Sequence, residues 1–327
     1  MPVPAAAAGQ AACDPTERPG AIAWLDGAYL PQCEFAIPAG DAGFVLGAAV
    51  TEQLRTFAGG LFLPDLHRQR FVASLAAAGI EPGRSAEEIL AAAAAVARHN
   101  HSLLPAGGDL GVVMFATPGD LPAQFAGRPG RPRVAAHSFP LAFPLWAHAY
   151  RRGMSLRTVP VTQVPEACWP IHLKCRSRMH YHLADRAAAA AEPGARAILC
   201  HADGRVSETS TANLAIVRGN AIFTPPPTDA LPGISLAHLR LLARRLGIAW
   251  HEQSLTIGDL GSADELLLTS TPSCLLPATR LDGNPIGDGV PGEIFARLIS
   301  AWTDDVGLDI IAQAERGAVA SRSTPCA

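Results

Sequence analysis

A proline-rich stretch near the middle of the chain limits the possible folds more than any other feature. Four prolines interrupt residues 128–144, in the run RPGRPRVAAHSFPLAFP. Proline lacks a backbone N–H and has a fixed φ, so we expect no regular element to continue through this stretch. A chain of 327 residues also exceeds the usual size of one domain. We predict a disordered leader (residues 1–20), a small α/β domain (21–140), a large domain (141–305) and a partly disordered C-terminal tail (306–327).

Turn and cap signals predict mixed elements in the first half. AIAWLDGAYL is typical of a hairpin with Asp26-Gly27 at its turn, and VTEQLRTFAGGLFL of two strands joined at Gly59-Gly60. Helices are expected to begin at Asp65 and Ser85, before a buried strand in LGVVMFAT. The pattern indicates an α/β (α+β) fold.

The second half repeats this mixture. A strand in SLRTVPVT leads to a helix from about Ser177 to Ala191, followed by a meander of short strands. LPGISLAHLRLLARRLG predicts a helix with Ser235 as its N-cap, and DELLLTSTPS predicts a buried strand.

Charge and composition exclude several classes of function. The net charge of −3 provides no basic surface for nucleic acid. No apolar run is long enough to span a membrane, and the first 20 residues have no cationic start and contain four prolines, so they do not resemble a signal peptide. Seven cysteines, an odd number without a CxxC pair, predict free thiols in a cytoplasmic protein.

Lys174 is the one lysine among 26 Lys and Arg residues. An amine can lose its proton and attack a carbonyl, which a guanidinium cannot do. This asymmetry indicates a Schiff base formed by Lys174 with an aldehyde. The neighbours His172, Cys175, His180 and His182 are metal-capable, but their spacing only partly fits a zinc site, so we expect no metal.

Three further features suit a phosphorylated aldehyde cofactor. Glu208, at a corner of the meander, could keep a pyridine nitrogen protonated. The helix that opens at Gly233 to Ser235 could bind a phosphate through its free N–H groups, together with an arginine such as Arg70.

With these residues in this order, the chain resembles the fold-type IV pyridoxal-phosphate enzymes, or class IV aminotransferases. The resemblance runs from about Trp24 to Ile299 and is carried by LKCRSRMHYHLAD, DGRVSETSTANLAIV, TPPPTDALPGIS and ADELLLTSTPS, after WLDGAYLP and DAGFVLGAAVTEQLRTFAGGLFLPDLHRQRF. It implies a homodimer of two-domain subunits, with pyridoxal 5'-phosphate in the interdomain cleft and bound mainly by the large domain. Lys174 would hold the cofactor and shuttle a proton, and Glu208 would bind its pyridine nitrogen. The phosphate would be bound by Arg70, Ile234, Ser235 and Thr271.

Departures from the family pattern leave the substrate open. Thr51 and Met179 stand where relatives carry aromatic residues, Gly111 stands near an arginine position, and Pro272 offers no N–H to a substrate carboxylate. An Arg-x-His carboxylate site has no clear equivalent in residues 117–124. The resemblance implies amino transfer between an amino acid, branched-chain-like or D, and a 2-oxo acid. One alternative is an aminodeoxychorismate lyase that releases pyruvate and 4-aminobenzoate; another is a cofactor-binding regulatory protein without turnover.

Overall fold

A six-stranded antiparallel sheet forms the first half of the molecule. The computed structural model describes residues 20–128 and 130–323, so the predicted leader, except Gly20, lies outside the described residues. The sheet has the order β2-β1-β6-β5-β3-β4. Its strands are β1 (Ile22–Leu25), β2 (Ala28–Pro31), β3 (Val50–Phe57), β4 (Gly60–Leu61), β5 (Leu110–Thr117) and β6 (Arg133–Pro140).

Helices α2 (Pro64–Ala78) and α3 (Ala86–His101) cover one face of this sheet. The short helix α1 (Ala42–Val45) lies beside Thr117 at the end of β5. Phe71 of α2 and Ile89 of α3 are fully buried in one core with Leu54 of β3, so the alternate residues of the strands and one stripe of each helix pack together. The Ser85 side chain caps α3 by accepting a hydrogen bond from the Glu88 N–H, as predicted.

Three local predictions for this half were wrong. Residues 133–140, placed in the interrupted stretch, form β6, which pairs with β5 along its whole length because two of the prolines precede this segment, one is its last residue and one follows it. Helix α2 begins at Pro64 with Leu63 as N-cap, since proline is well suited to the first helical turn, and Asp65 lies inside that turn. The second hairpin turns at Ala58-Gly59, one residue earlier than predicted.

A nine-stranded mixed sheet forms the second half. The path is β12-β11-β10-β13-β14-β7-β8-β9, and β15 pairs with β14. The strands are β7 (Met154–Thr158), β8 (Arg196–Cys200), β9 (Val206–Thr209), β10 (Asn213–Arg218), β11 (Ala221–Thr224), β12 (Ala249–Glu252), β13 (Glu265–Ser270), β14 (Cys274–Leu281) and β15 (Asn284–Pro285). Helices α4 (Ala149–Arg152), α5 (Met179–Ala191), α6 (Ile234–Arg245), α7 (Ile257–Gly261), α8 (Glu293–Val306) and α9 (Ile310–Ser323) accompany it. The two sheets and their helices give the predicted α/β class.

Helix α9 replaces much of the tail that was predicted to be partly disordered. Ile310, Gln313 and Ala314 lie on one buried face at helical spacing. The Gln313 side chain accepts a hydrogen bond from Arg55 Nη2 (3.1 Å) and donates one to Asp109 Oδ2 (2.7 Å). The helix therefore joins two buried charges of the first half, a long-range contact that the apolar pattern of the tail does not reveal.

The cysteines only partly follow the prediction. Cys168, Cys175, Cys200 and Cys274 are free. Cys33 is disulfide-bonded, so the prediction of free thiols throughout was wrong. An odd number of cysteines means that at least one is unpaired, but it does not prevent the others from forming disulfides. No helix in the described part of the chain is long and apolar enough to cross a membrane.

Candidate active site

A cleft of about 350 Å³ lies where the two halves meet. The first half contributes Thr51, Gln53 and Arg70, and the second half contributes the other lining residues. All six predicted site residues line this cleft: Arg70, Lys174, Glu208, Ile234, Ser235 and Thr271. Residues that are far apart in the sequence therefore meet in one place.

Lys174 lies on an extended segment that the first half holds from both sides. Its carbonyl accepts a hydrogen bond from the Thr51 N–H (3.0 Å), and its own N–H donates to Ser74 Oγ (3.2 Å). Cys175, the next residue, makes an isolated antiparallel bridge with Val50 of β3. These contacts fix the backbone from which the amine projects into the cleft.

The environment of Lys174 favours the neutral amine. Burial, followed by the positive charge of Arg70, lowers the pKa of Lys174 from 10.5 to about 8. Glu52 and Glu208 oppose this shift without cancelling it. A neutral amine at a pH near neutrality is the form that attacks a carbonyl.

Glu208 in β9 is a buried carboxylate held by neutral donors. Tyr181 donates from its hydroxyl to Oε1 (2.6 Å), and the Asn213 side chain donates to Oε2 (3.1 Å). Burial raises the pKa of Glu208, although Tyr181, Lys174 and Arg178 favour its charged form. The carboxylate has no direct cationic partner among the described ion pairs, so it suits a ligand that brings a positive charge.

Arg70 of α2 reaches the cleft with its charge already paired. Its Nε and Nη2 donate to the two carboxylate oxygens of Glu52 (2.7 and 2.8 Å), and Nη1 donates to the Pro232 carbonyl (2.9 Å). Burial alone would raise the pKa of Glu52, but Arg70 and His67 hold it at about 2. Because a guanidinium has five N–H groups, Arg70 keeps two for a further acceptor.

The start of α6 differs by two residues from the prediction. The N-cap is Gly233, and Ser235 lies inside the first turn, where its buried side chain lines the cleft. A Cβ at position 233 would lie 1.8 Å from Asn213 Oδ1, so a larger residue there would displace the Asn213 side chain that donates to Glu208. The backbone bonds of α6 begin with the Ala237 N–H, which leaves the N–H groups of Ile234 and Ser235 free for an anion.

Several cleft residues were not predicted as site residues. Tyr181 and Asn213 orient Glu208, and the Thr269 hydroxyl is buried without a hydrogen-bond partner in the described structure. Arg178 donates to the Ser210 carbonyl and places its guanidinium 4.5 Å from the Tyr181 ring centroid. The three-residue spacing of Arg178 and Tyr181 was the one sequence signal for this contact.

The His and Cys side chains near Lys174 do not form a metal site in the described part of the chain. Within residues 20–128 and 130–323, no group of three or more His, Cys, Asp or Glu side chains is placed to hold a metal ion. His180 instead packs against Tyr181, with ring centroids 3.9 Å apart.

Comparisons with known proteins give sequence matches over most of the chain. The sequence model of the amino-transferase class IV family matches residues 49–281. A D-alanine aminotransferase of Bacillus licheniformis is 28% identical over 287 residues, which cover 86% of this chain and 96% of that protein. A D-alanine aminotransferase of Staphylococcus aureus (strain MSSA476) is 26% identical over 286 residues, covering 84% of this chain and 94% of that protein.

Solved structures show the same fold. The branched-chain amino acid aminotransferase of Escherichia coli superposes with a TM-score of 0.80 at 23% identity, covering 87% of this chain and 94% of that one. The branched-chain aminotransferase of the archaeon Thermoproteus uzoniensis, solved with norvaline, gives a TM-score of 0.77 at 25% identity, covering 88% and 95%. The predicted fold-type IV architecture is confirmed.

Proposed function

This chain belongs to the class IV aminotransferases, and from that membership we propose that it transfers an amino group between an amino acid and a 2-oxo acid with pyridoxal 5'-phosphate bound at Lys174. The observation that carries the proposal is the position of the one lysine of the sequence, in the cleft, with a pKa lowered to about 8. Related proteins named D-alanine and branched-chain aminotransferases support the same reaction class.

The cleft has a suitable group for each part of this cofactor. Lys174 would hold its aldehyde carbon, and the buried Glu208 carboxylate would bind the protonated pyridine nitrogen. The phosphate would be bound by the first turn of α6 at Ile234 and Ser235, by the free N–H groups of Arg70 and by Thr271. The buried, unpartnered Thr269 hydroxyl, which also lines the cleft, indicates that the site is built for a further polar ligand.

Lys174 would also perform the proton transfer. When bound, the cofactor supplies an aldehyde that takes up the amino group and a ring that accepts an electron pair from the substrate carbon. Once Lys174 Nζ is free of the cofactor, it could accept a proton from the substrate carbon and donate it to the cofactor carbon, because its pKa of about 8 lies near neutral pH. Glu208 would keep the ring charged, and Tyr181 would keep Glu208 ionised.

The visible spectrum of the holoprotein tests this function. Single amino acids are added without any oxo acid, L and D forms separately, beginning with D-alanine because of the named relatives. We expect one enantiomer to convert the cofactor from its aldehyde to its amine form, and a 2-oxo acid to reverse the change. If no amino acid converts the cofactor, amino transfer is refuted and the lyase, with aminodeoxychorismate as substrate, becomes the function to test.

A second copy of the chain is expected to cover the cleft entrance. Phe44 and Leu46 are 76% and 62% exposed, and Met179 is 68% exposed. The two segments that carry these side chains meet where Ser177 Oγ donates to the Gly47 carbonyl (2.9 Å), and we expect the side chains to form one apolar surface. Such a surface suits a twofold interface.

Light scattering after size-exclusion chromatography tests the homodimer. The expected mass is twice the 34.1 kDa of one chain. Phe44→Ser combined with Met179→Ser should shift the mass toward the monomer, whereas Val290→Ser, at a site that is also exposed, should not. A wild-type mass of one chain at micromolar concentration would refute the homodimer. The cytoplasmic location stays a prediction from the sequence.

A further inference from the structure

We propose that Arg176, assisted by Arg178, forms the subsite that binds the carboxylate of the amino acid and 2-oxo acid substrates. The inference rests on the proposed function and adds a specificity-determining residue to it. It also answers the question raised by Gly111 and Pro272, which leave no obvious carboxylate ligand in the sequence.

The backbone places Arg176 on the same side as the amine. The Lys174 carbonyl and the Arg176 N–H both bond to the segment at the start of β3, through Thr51 and Ala49, so the chain is extended at this point. In an extended segment, side chains two residues apart point in the same direction. Arg176 therefore lies beside Lys174, and both line the cleft.

The charges in the cleft favour an anion near Arg176. Arg70 is neutralised by Glu52, and Glu208 is the one carboxylate among the described residues that line the cleft. The Arg176 side chain is exposed at the cleft and makes no hydrogen bond or ion pair with the residues that the structure describes. Partial burial, followed by the charge of Arg178, lowers the pKa of Arg176, and both arginines line the cleft.

A third donor points to the same ligand. His180 Nε2, in the first turn of α5, is buried and has no hydrogen-bond partner in the described structure, although the residue lines the cleft. Arg178 donates to the Ser210 carbonyl through Nη2, which leaves further N–H groups for a ligand. Guanidinium groups bind carboxylates with paired, charge-assisted hydrogen bonds, so this cluster suits a carboxylate.

Neither Gly111 nor Pro272 supplies a ligand for the substrate carboxylate. Gly111 faces the Phe139 ring, which lies 2.4 Å from where a Cβ would be, so no longer side chain could project there without moving that ring. Pro272 has no N–H, and its carbonyl accepts a hydrogen bond from Arg55 Nη1 (2.9 Å). We therefore assign the substrate carboxylate to the arginines beside Lys174.

The test compares Arg176→Gln with wild-type holoenzyme, using two three-carbon probes that each carry one of the two functional groups of an amino acid. Propionate has the carboxylate without the amine, and n-propylamine has the amine without the carboxylate. Binding of each is followed by the cofactor absorbance and by the intrinsic tryptophan fluorescence, to which Trp169 of the cleft contributes. Arg244→Gln is the matched control, because Arg244 is an exposed arginine outside the cleft.

We expect Arg176→Gln to raise the Kd of propionate and the KM of the amino acid by about 10- to 100-fold, the range of a lost charged hydrogen bond. Binding of n-propylamine should stay within about twofold, and Arg244→Gln should change neither. Arg176→Lys should give an intermediate Kd, since it retains the charge without the planar fork.

An unchanged Kd for propionate in Arg176→Gln would overturn the subsite, as would an equal loss of n-propylamine binding. If Arg176→Gln shifts the measured mass toward the monomer but leaves the Kd of propionate unchanged, Arg176 belongs to the subunit contact instead. If wild-type protein binds propionate through Arg176 but converts no amino acid, the proposed function fails while the subsite stands.

Discussion

Lys174 should titrate near pH 8 in the folded protein without cofactor. Burial and the charge of Arg70 lower its pKa from 10.5 to about 8. At pH 7 this leaves about one amine in ten neutral, against about one in 3,000 for an ordinary lysine. The folded protein should therefore present the reactive form about 300 times more often.

The single lysine makes this measurable without site-specific labelling. Trace acylation with acetic anhydride over a pH range of about 6–11, followed by mass spectrometry of the peptide that carries Lys174, gives the neutral fraction at each pH. The same protein unfolded in urea provides the reference, with an expected pKa of about 10.4. Arg178→Gln should raise the folded value, because it removes a nearby positive charge.

A folded pKa equal to that of the urea-unfolded reference would refute the reasoning. It would mean that water reaches the amine freely or that Glu52 and Glu208 balance the burial. A low pKa that Arg178→Gln does not move would retain the burial effect and remove the contribution of that arginine.

Four further outcomes are expected. Lys174→Met should stabilise the cofactor-free protein by about 1–3 kcal/mol at pH 7, measured by urea unfolding. Between pH 8 and 10.5 the unfolded wild-type chain binds more protons than the folded one, so wild-type stability rises with pH. The difference between Lys174→Met and wild type should therefore shrink across that window. Gln313→Met should cost about 2–4 kcal/mol in urea unfolding because two buried charged groups each lose a partner, whereas the exposed Gln253→Met should stay within about 0.5 kcal/mol. Glu208→Gln should retain the cofactor absorbance and lower kcat by about 100-fold; an unchanged kcat would remove Glu208 from the site. Tyr181→Phe removes a donor to the Glu208 carboxylate, so the acid limb of the kcat profile should move to higher pH, and an unmoved limb would contradict this role.

The sequence determined the elements and the chemistry of single residues. Alternating apolar residues and turn signals predicted the Asp26-Gly27 hairpin, the Ser85 cap and the short strands around Glu208. These features depend on neighbours in the chain, which is why a sequence reveals them. Lys174 was evident for a different reason, because its rarity marks the one position where an amine is retained.

The tertiary structure decided what surrounds those residues. The lowered pKa of Lys174, the pairing of Arg70 with Glu52 and the place of Arg176 in the cleft all depend on how the fold packs distant segments together. Helix α9 contacts the first half through Gln313, which donates a hydrogen bond to Asp109, 204 residues earlier in the chain. Burial and charge act through space, so their effect on a side chain depends on which distant residues the fold brings near it.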